Sequence, residues 1–256
     1  MIIIYDSRIP QAYVNALKDF APFARLHPLT ISSRGSVYDS ILCHPDIYFF
    51  RLDEKALVHS PSVPFALIEQ LKREGLELIK GENVPSGRYP GTAPYNVVRV
   101  GNMLFHNLKY TDPAILNEAA KRGIRCVSVE QGYARCSVVP VGEKAVITAD
   151  VGIAKVMEKE GIDVLLVGPG HVELPGEKCG FLGGASGNVT GRNGVVFLGD
   201  IDCYPDALRI KNFCAKHGVS VFSPKGLELY DAGSLLIVGS RCFSVQTDFP
   251  GGKFSN

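Results

Sequence analysis

Residues 130–188, EQGYARCSVVPVGEKAVITADVGIAKVMEKEGIDVLLVGPGHVELPGEKCGFLGGASGN, decide how the rest of this chain is read. An apolar run at 137–141 meets a turn, Gly142-Glu143-Lys144, and a second run at 145–148 leads back. Two apolar runs joined by a short glycine turn predict a hairpin. A helical pattern follows, with Ile153, Val156 and Met157 on one face and Lys155, Glu158 and Lys159 on the other. Asp150 stands just before it as the predicted N-cap, because its carboxylate can accept from the free N–H groups of a first turn. Gly161 suits the left-handed residue that ends helices. Residues 162–167 then read as a third strand, apolar enough to predict burial on both faces. The unit is hairpin, helix, strand.

The same order recurs on either side. A second unit begins at Cys43-His44-Pro45-Asp46, with strands at 47–50 and 56–59, a helix at 63–73 and a strand at 76–80. A third has strands at 96–100 and 103–110, a helix opened by Asp112-Pro113 and running to Lys121, and a strand at 124–129. Another starts in the glycine-rich 183–188. It continues with a short strand near Val189, a turn at Arg192-Asn193-Gly194 and a strand at 195–198. A helix from Tyr204-Pro205-Asp206 to Lys216 and a strand at 219–222 complete it. The helix ends align as KREG, AKRG, EKEG and AKHG, and four such copies, spaced by 48, 38 and 57 residues, signal a repeat architecture. Residues 1–29 read as strand, helix, strand with no hairpin, and 30–42 as loop or partial helix. The opposite end, 234–238 and 241–245, reads as a hairpin with no helix. The two ends therefore complete one unit between them. An ordinary doubly wound sheet shares the helix–glycine–strand joins but seldom inserts a hairpin before each helix. The expected fold is α/β, a five-fold pseudo-symmetric α/β propeller in one domain over 1–248, with 249–256 a flexible tail.

Composition narrows the function. Apolar residues make up 46% of the 256 and the formal charge is +1, which argues against disorder and against a nucleic-acid partner. No apolar run reaches the length of a membrane span. The start, Met1-Ile2-Ile3-Ile4-Tyr5-Asp6, lacks the basic region and cleavage site of a signal peptide. Seven cysteines without a CxxC pair predict reduced, mostly buried thiols and a cytoplasmic protein. Cys43-His44 has no second pair at a zinc spacing, so no metal is expected, and no cofactor. Nothing in the sequence sets the oligomeric state.

Five hairpin–helix–strand units in a ring resemble the guanidino-group modifying enzymes, or penteins. These include arginine and agmatine deiminases, dimethylarginine dimethylaminohydrolase and the amidinotransferases. HPDIYFF (44–50) looks like the histidine strand of that superfamily, and GFLGGASGN (180–188) like the glycine-rich opening of a late unit. The chain also resembles a bacterial branch of that superfamily that carries QGYARCS (131–137), GFLGGASG (180–187) and DAGSLL (231–236) in this order. The resemblance implies a cysteine that attacks an amidine carbon, a histidine that handles protons and two carboxylates that hold the guanidinium. Carboxylates do this through charge-assisted, often bidentate hydrogen bonds. The superfamily's cysteine belongs in the last unit, soon after the glycines. Here that strand start offers Ser186, Gly187 and Asn188, and the cysteine of the last hairpin, Cys242, lies at its far end.

Aligning the hairpins gathers their strand starts at one mouth of the ring. The residues concerned are His44 and Asp46, Asn96, Arg135 and Cys136, Ser186 and Asn188, and Asp231 and Ser234. Two readings follow. In the first, a hydrolase or transferase acts on a small guanidine or amidine. Cys136 is the nucleophile, the neighbouring Arg135 guanidinium favours its thiolate, His44 is the acid/base, and Asp46 and Asp231 face the cation. Asn96, Arg135, Ser186, Asn188 and Ser234 complete the substrate contacts. In the second, the same mouth binds a small polar ligand without chemistry. The structural alternatives stay open beside both: a buried strand-start thiol at Cys136, a histidine bonded to a turn beside Pro45, and aspartates that cap turns. His171 and Glu173 are further candidates on a loop. His59, His106 and Cys126 read as packing residues.

Overall fold

Five apolar runs become the middle strands of five three-stranded sheets in a computed structural model that describes residues 1–32, 37–189 and 193–239. The first unit holds β1 (Ile2–Asp6), α1 (Gln11–Phe20) and β2 (Arg25–Leu29). The second holds α2 (Pro45–Tyr48), β3 (Phe49–Arg51), β4 (Ala56–His59), α3 (Phe65–Arg73) and β5 (Glu77–Lys80). The third holds β6 (Val98–Val100), β7 (Met103–His106), α4 (Pro113–Lys121) and β8 (Arg125–Ser128). The fourth holds α5 (Ala134–Ser137), β9 (Val138–Val141), β10 (Ala145–Thr148), α6 (Val151–Lys159) and β11 (Asp163–Leu166). The fifth holds β12 (Ser186–Val189), β13 (Gly194–Phe197), α7 (Ala207–Lys216) and β14 (Ser220–Phe222). Last comes β15 (Leu236–Val238), which pairs antiparallel with β1 and so joins the C-terminal segment to the first unit.

Each sheet repeats one pattern: an inner strand antiparallel to the middle one, then a helix, then an outer strand parallel to the middle one. The caps work as the residues predict. Asp150 accepts from Ile153 N at 2.8 Å and Asp112 from Ala114 N at 2.9 Å. Gly75, Gly123, Gly161 and Gly218 end their helices with φ of +90°, +64°, +79° and +64°. That region is open to glycine and costly for residues with a Cβ.

Side-chain alternation explains how the units join. On β1, Ile2 and Ile4 enter a cluster shared with the second unit, while Ile3 and Tyr5 enter one shared with the fifth. On β10, Ala145 and Ile147 face the fifth unit and Val146 the third. On β4, Leu57 faces the first unit, and Ala56 and Val58 the third. Successive residues of a strand point to opposite faces, so a middle strand wedged between two neighbours is apolar on both faces, and in four of the five it ends on a buried polar residue, Asp6, His59, His106 or Thr148. Five clusters of this kind link the units in cyclic order, the fifth back to the first.

Two expectations need correction. The strand at 162–167 is not buried on both faces. β11 is half-buried along Asp163, Val164 and Leu165, and Leu166 is exposed. β5, β8 and β14 are similar, because the third strand of each unit is an outer edge and the double-sided burial belongs to the middle strand. Residues 45–48 are a helical turn, and the strand begins at Phe49. Pro45 occupies the first helical position, where its missing N–H costs nothing. A matching turn, α5, precedes β9. The expected strand at 241–245, the Arg192 turn, Cys242 and the tail at 249–256 lie outside the described residues. Among those described, no helix is long and apolar enough to cross a membrane, and no group of three or more His, Cys, Asp or Glu is placed to hold a metal ion.

Candidate functional site

The short turns α2 and α5 aim their side chains inward just before β3 and β9, and this creates a buried polar knot. Asp46 Oδ2 accepts from Cys136 Sγ at 3.0 Å and from Ser234 Oγ at 2.7 Å. Asn96 completes it. Its Oδ1 accepts from the Arg135 and Cys136 backbone N–H groups at 2.8 and 3.1 Å, and its Nδ2 donates to Cys136 Sγ at 3.0 Å. All four side chains are buried. Asp46 Oδ1 is also buried and has no hydrogen-bond partner. Burial and the nearby Asp46 and Asp231 carboxylates push the Cys136 thiol well above its ordinary range. Burial also raises Asp46, opposed by its thiol and hydroxyl donors. The knot is thus a protonated thiol donating to the Asp46 carboxyl group.

Arg135 does not turn toward that thiol. Its guanidinium donates to three carbonyls, Val138 O at 3.0 Å, Gly183 O at 3.2 Å and Ser186 O at 3.2 Å, and so ties the fourth unit to the fifth. Ser186 spends its hydroxyl on Gly183 O at 2.8 Å, and Asn188 donates to Pro140 O.

His44 and Asp231 face the other way, onto an open cleft of about 610 Å³ with Asp6, Arg8, Tyr38, Asp39, Glu177 and Tyr230 in its wall. His44 Nε2 lies 3.8 Å from Asp6 and its Nδ1 4.0 Å from Asp231. Burial lowers the His44 pKa, although both carboxylates oppose the shift, so the ring is neutral near pH 7. Asp231 is raised, chiefly by burial. Its Oδ2 accepts from Phe181 N at 2.8 Å and its Oδ1 from Gly233 N at 2.9 Å. Arg8 is held by Asp6, at 2.5 Å between Nη2 and Oδ2. The glycines are there for clearance. A Cβ on Gly184 would lie 2.0 Å from Asp231 Oδ1, and one on Gly183 would lie 2.3 Å from Cys136 O.

The structure therefore divides the sequence candidates. Asp46, Asn96, Cys136 and Ser234 form the knot, and His44 and Asp231 floor the cleft. Arg135 and Ser186 brace the two. Asp6, Arg8, Asp39, Glu177 and Tyr230 were not singled out in the sequence. Asp6 sits at the C-terminal end of β1, a strand-end signal, whereas Glu177 reaches the cleft only through a long loop. His171 and Glu173 share that loop and are exposed, while its 174–177 segment lines the cleft.

His106, at the end of β7, fixes the approach to α5. Its Nε2 lies 2.7 Å from Gly132 O and its Nδ1 2.7 Å from Thr111 Oγ1. A neutral ring that donates to the carbonyl and accepts from the hydroxyl satisfies both contacts. Burial lowers its pKa to about 4, against roughly 6.5 in an unfolded chain. The unfolded chain therefore binds a proton that the folded protein refuses. This residue's effect is absent above about pH 6.5 and costs stability as the pH falls toward 4, by on the order of 3 kcal/mol. Urea unfolding at pH 7 and pH 4.5 is expected to show a smaller pH loss for His106→Gln than for wild type. Equal losses would contradict the assignment.

The fold is that of the guanidino-group modifying enzymes. DDAH from Pseudomonas aeruginosa, a mutant complexed with citrulline, superposes with a TM-score of 0.53 at 13% identity, over 91% of this chain and 92% of that one. Inosamine-phosphate amidinotransferase from Streptomyces griseus gives 0.51 at 12% identity, over 95% and 84%. An amidinotransferase of saxitoxin biosynthesis from Microseira wollei gives 0.50 at 12%, over 97% and 96%. No curated protein matches the chain in sequence. A family model does match, over residues 4–236, and the chain belongs to that family, the family of unknown function DUF6873.

Proposed function

We propose that the protein binds a small guanidinium or amidinium compound in the cleft floored by His44 and Asp231. The cleft's volume is in the range of small-molecule sites. Its wall carries Asp6, Asp39, Glu177 and Asp231 against one cation, Arg8, which Asp6 already engages. Carboxylates of this kind suit a planar cation with paired N–H donors, and Tyr38 and Tyr230 add aromatic faces that attract one. The observation that carries binding over thiol chemistry is the state of Cys136. It is buried, protonated, donating to Asp46, and absent from the cleft wall.

A second reading keeps the hydrolase or transferase, with Cys136 as nucleophile. It is favoured by His44, a neutral imidazole at the cleft floor between two carboxylates, which is suited to take a proton. It requires the knot to open, with the substrate cation lowering the thiol pKa.

One experiment separates them. Calorimetric titration with arginine, agmatine and methylated arginines is run beside assays of ammonia and urea release, for wild type and Cys136→Ala. Thiol labelling with mass mapping is run in parallel. The binding reading expects heat on titration, no product, and rapid labelling of the exposed Cys179 and Cys203 while Cys136 stays unmodified until unfolding. Turnover that disappears in Cys136→Ala would establish the second reading. No heat from any cation would remove both.

A further inference from the structure

The five inner strands, β3, β6, β9, β12 and β15, together line a partly open cavity of about 40 Å³ on the axis of the ring. It is separate from the cleft, and its wall is unusual in charge. Arg51, Arg99 and Arg135 all border it, with Asp46 as the one carboxylate. Asp46 is engaged by Cys136 and Ser234. The three guanidinium groups are met by carbonyls rather than carboxylates. Arg51 donates to Asn188 O at 3.0 Å and Ile237 O at 2.9 Å, and Arg99 to Gly101 O at 3.0 Å and to Leu52 O. Arg135 donates to Val138, Gly183 and Ser186, as above. Among the described residues, no carboxylate forms an ion pair with any of the three. The charges acting most strongly on Arg51 are the other two arginines, ahead of Glu54 and Glu143.

Carbonyl dipoles orient a guanidinium but carry no net charge. Three half-buried arginines and one aspartate leave a formal excess of positive charge around a confined space, and charge withdrawn from water without a partner is costly. A mobile counter-ion removes the cost. An enclosed water needs roughly 10–15 Å³, so this cavity accommodates a halide-sized ion with a water, and it is too small for an organic phosphate. We infer that the axial cavity between Arg51, Arg99 and Arg135 is a binding site for a small monovalent anion, which fastens the inner strands of the ring to one another.

Bromide is the probe. Crystals of the full chain grown in sodium bromide are measured at the bromine edge. Melting temperatures are followed in solution against sodium bromide and, at equal ionic strength, sodium gluconate, whose anion is too large to enter. An anomalous peak is expected in the axial cavity beside Arg51 and Arg99. The melting temperature is expected to rise by a few degrees with bromide, in a saturable way, and not with gluconate. The double variant Arg51→Met, Arg99→Met is expected to lose that difference. If it does not fold, the two wild-type measurements decide alone. A cavity holding only water, or the same response to both salts, would overturn the inference. So would a crystal peak without saturable stabilisation, which would be binding at crystal concentration only.

Discussion

Gly233→Ala is expected to destabilise the protein by about 4 kcal/mol and to dislodge His44. Two penalties combine. Gly233 has φ of +67°, and a Cβ in that region costs about 1 kcal/mol. The new methyl would also lie 2.1 Å from His44 Cβ and 2.6 Å from His44 Cα. The backbone neighbour cannot rotate away, because Asp46 N donates to Gly233 O at 3.1 Å and fixes α2 against this segment. Gly75→Ala is the control. Its φ is +90° and a Cβ added there would meet nothing within 4 Å, so only the conformational penalty applies. Urea midpoints for the two variants are expected to differ by about 3 kcal/mol in converted stability. Equal losses would mean that Gly233 serves its turn and nothing more.

The second large effect is expected at Asp231. Asp231→Asn should weaken binding of a guanidinium ligand by at least about 100-fold, since it removes a buried charge partner. It should also cost about 2–3 kcal/mol of stability despite its matching shape. The reason is the donor count. Both Asp231 oxygens accept from backbone N–H groups, Phe181 on one side and Gly233 on the other. An amide has one oxygen, so in either orientation its NH₂ confronts a donor. Titration with the ligand found for wild type, beside urea unfolding, checks both parts. Wild-type affinity in Asp231→Asn would take this residue out of ligand contact and move the binding site up the cleft wall toward Asp39 and Glu177.

Much of this architecture is local, which is why it could be read from the chain. A helix that needs an acceptor for its first N–H groups shows an Asp150 or an Asp112, and one that stops in a left-handed turn shows a Gly161 or a Gly218. A strand wedged between two neighbours shows an unbroken apolar run such as 145–147. Those requirements are met within a few residues of where they arise, and they recur in each unit, so both the repeat and the joining of the two chain ends were legible. The strand starts could be aligned for the same reason, and that alignment gathered Asp46, Asn96, Cys136 and Ser234 before any contact was known.

What the chain alone could not show is the direction and state of those side chains. Whether an arginine beside a cysteine activates it depends on where the guanidinium finds carbonyls, and Val138, Gly183 and Ser186 present them on the far side of Arg135. Whether a thiol is reactive depends on burial and on its acceptor, here a carboxyl group 90 residues away in sequence. Asp6 and Glu177 join one cleft wall although 171 positions separate them. The three arginines around the central cavity come from the second, third and fourth units; Arg51 and Arg99 carry no signal in their own strands, Arg135 signals only through its neighbour Cys136, and only the packing of the units brings the three to one cavity. Backbone periodicity is written locally because hydrogen bonds and burial are satisfied locally. Charge, protonation and cavity shape are sums over distant groups, and the tertiary structure alone performs that sum.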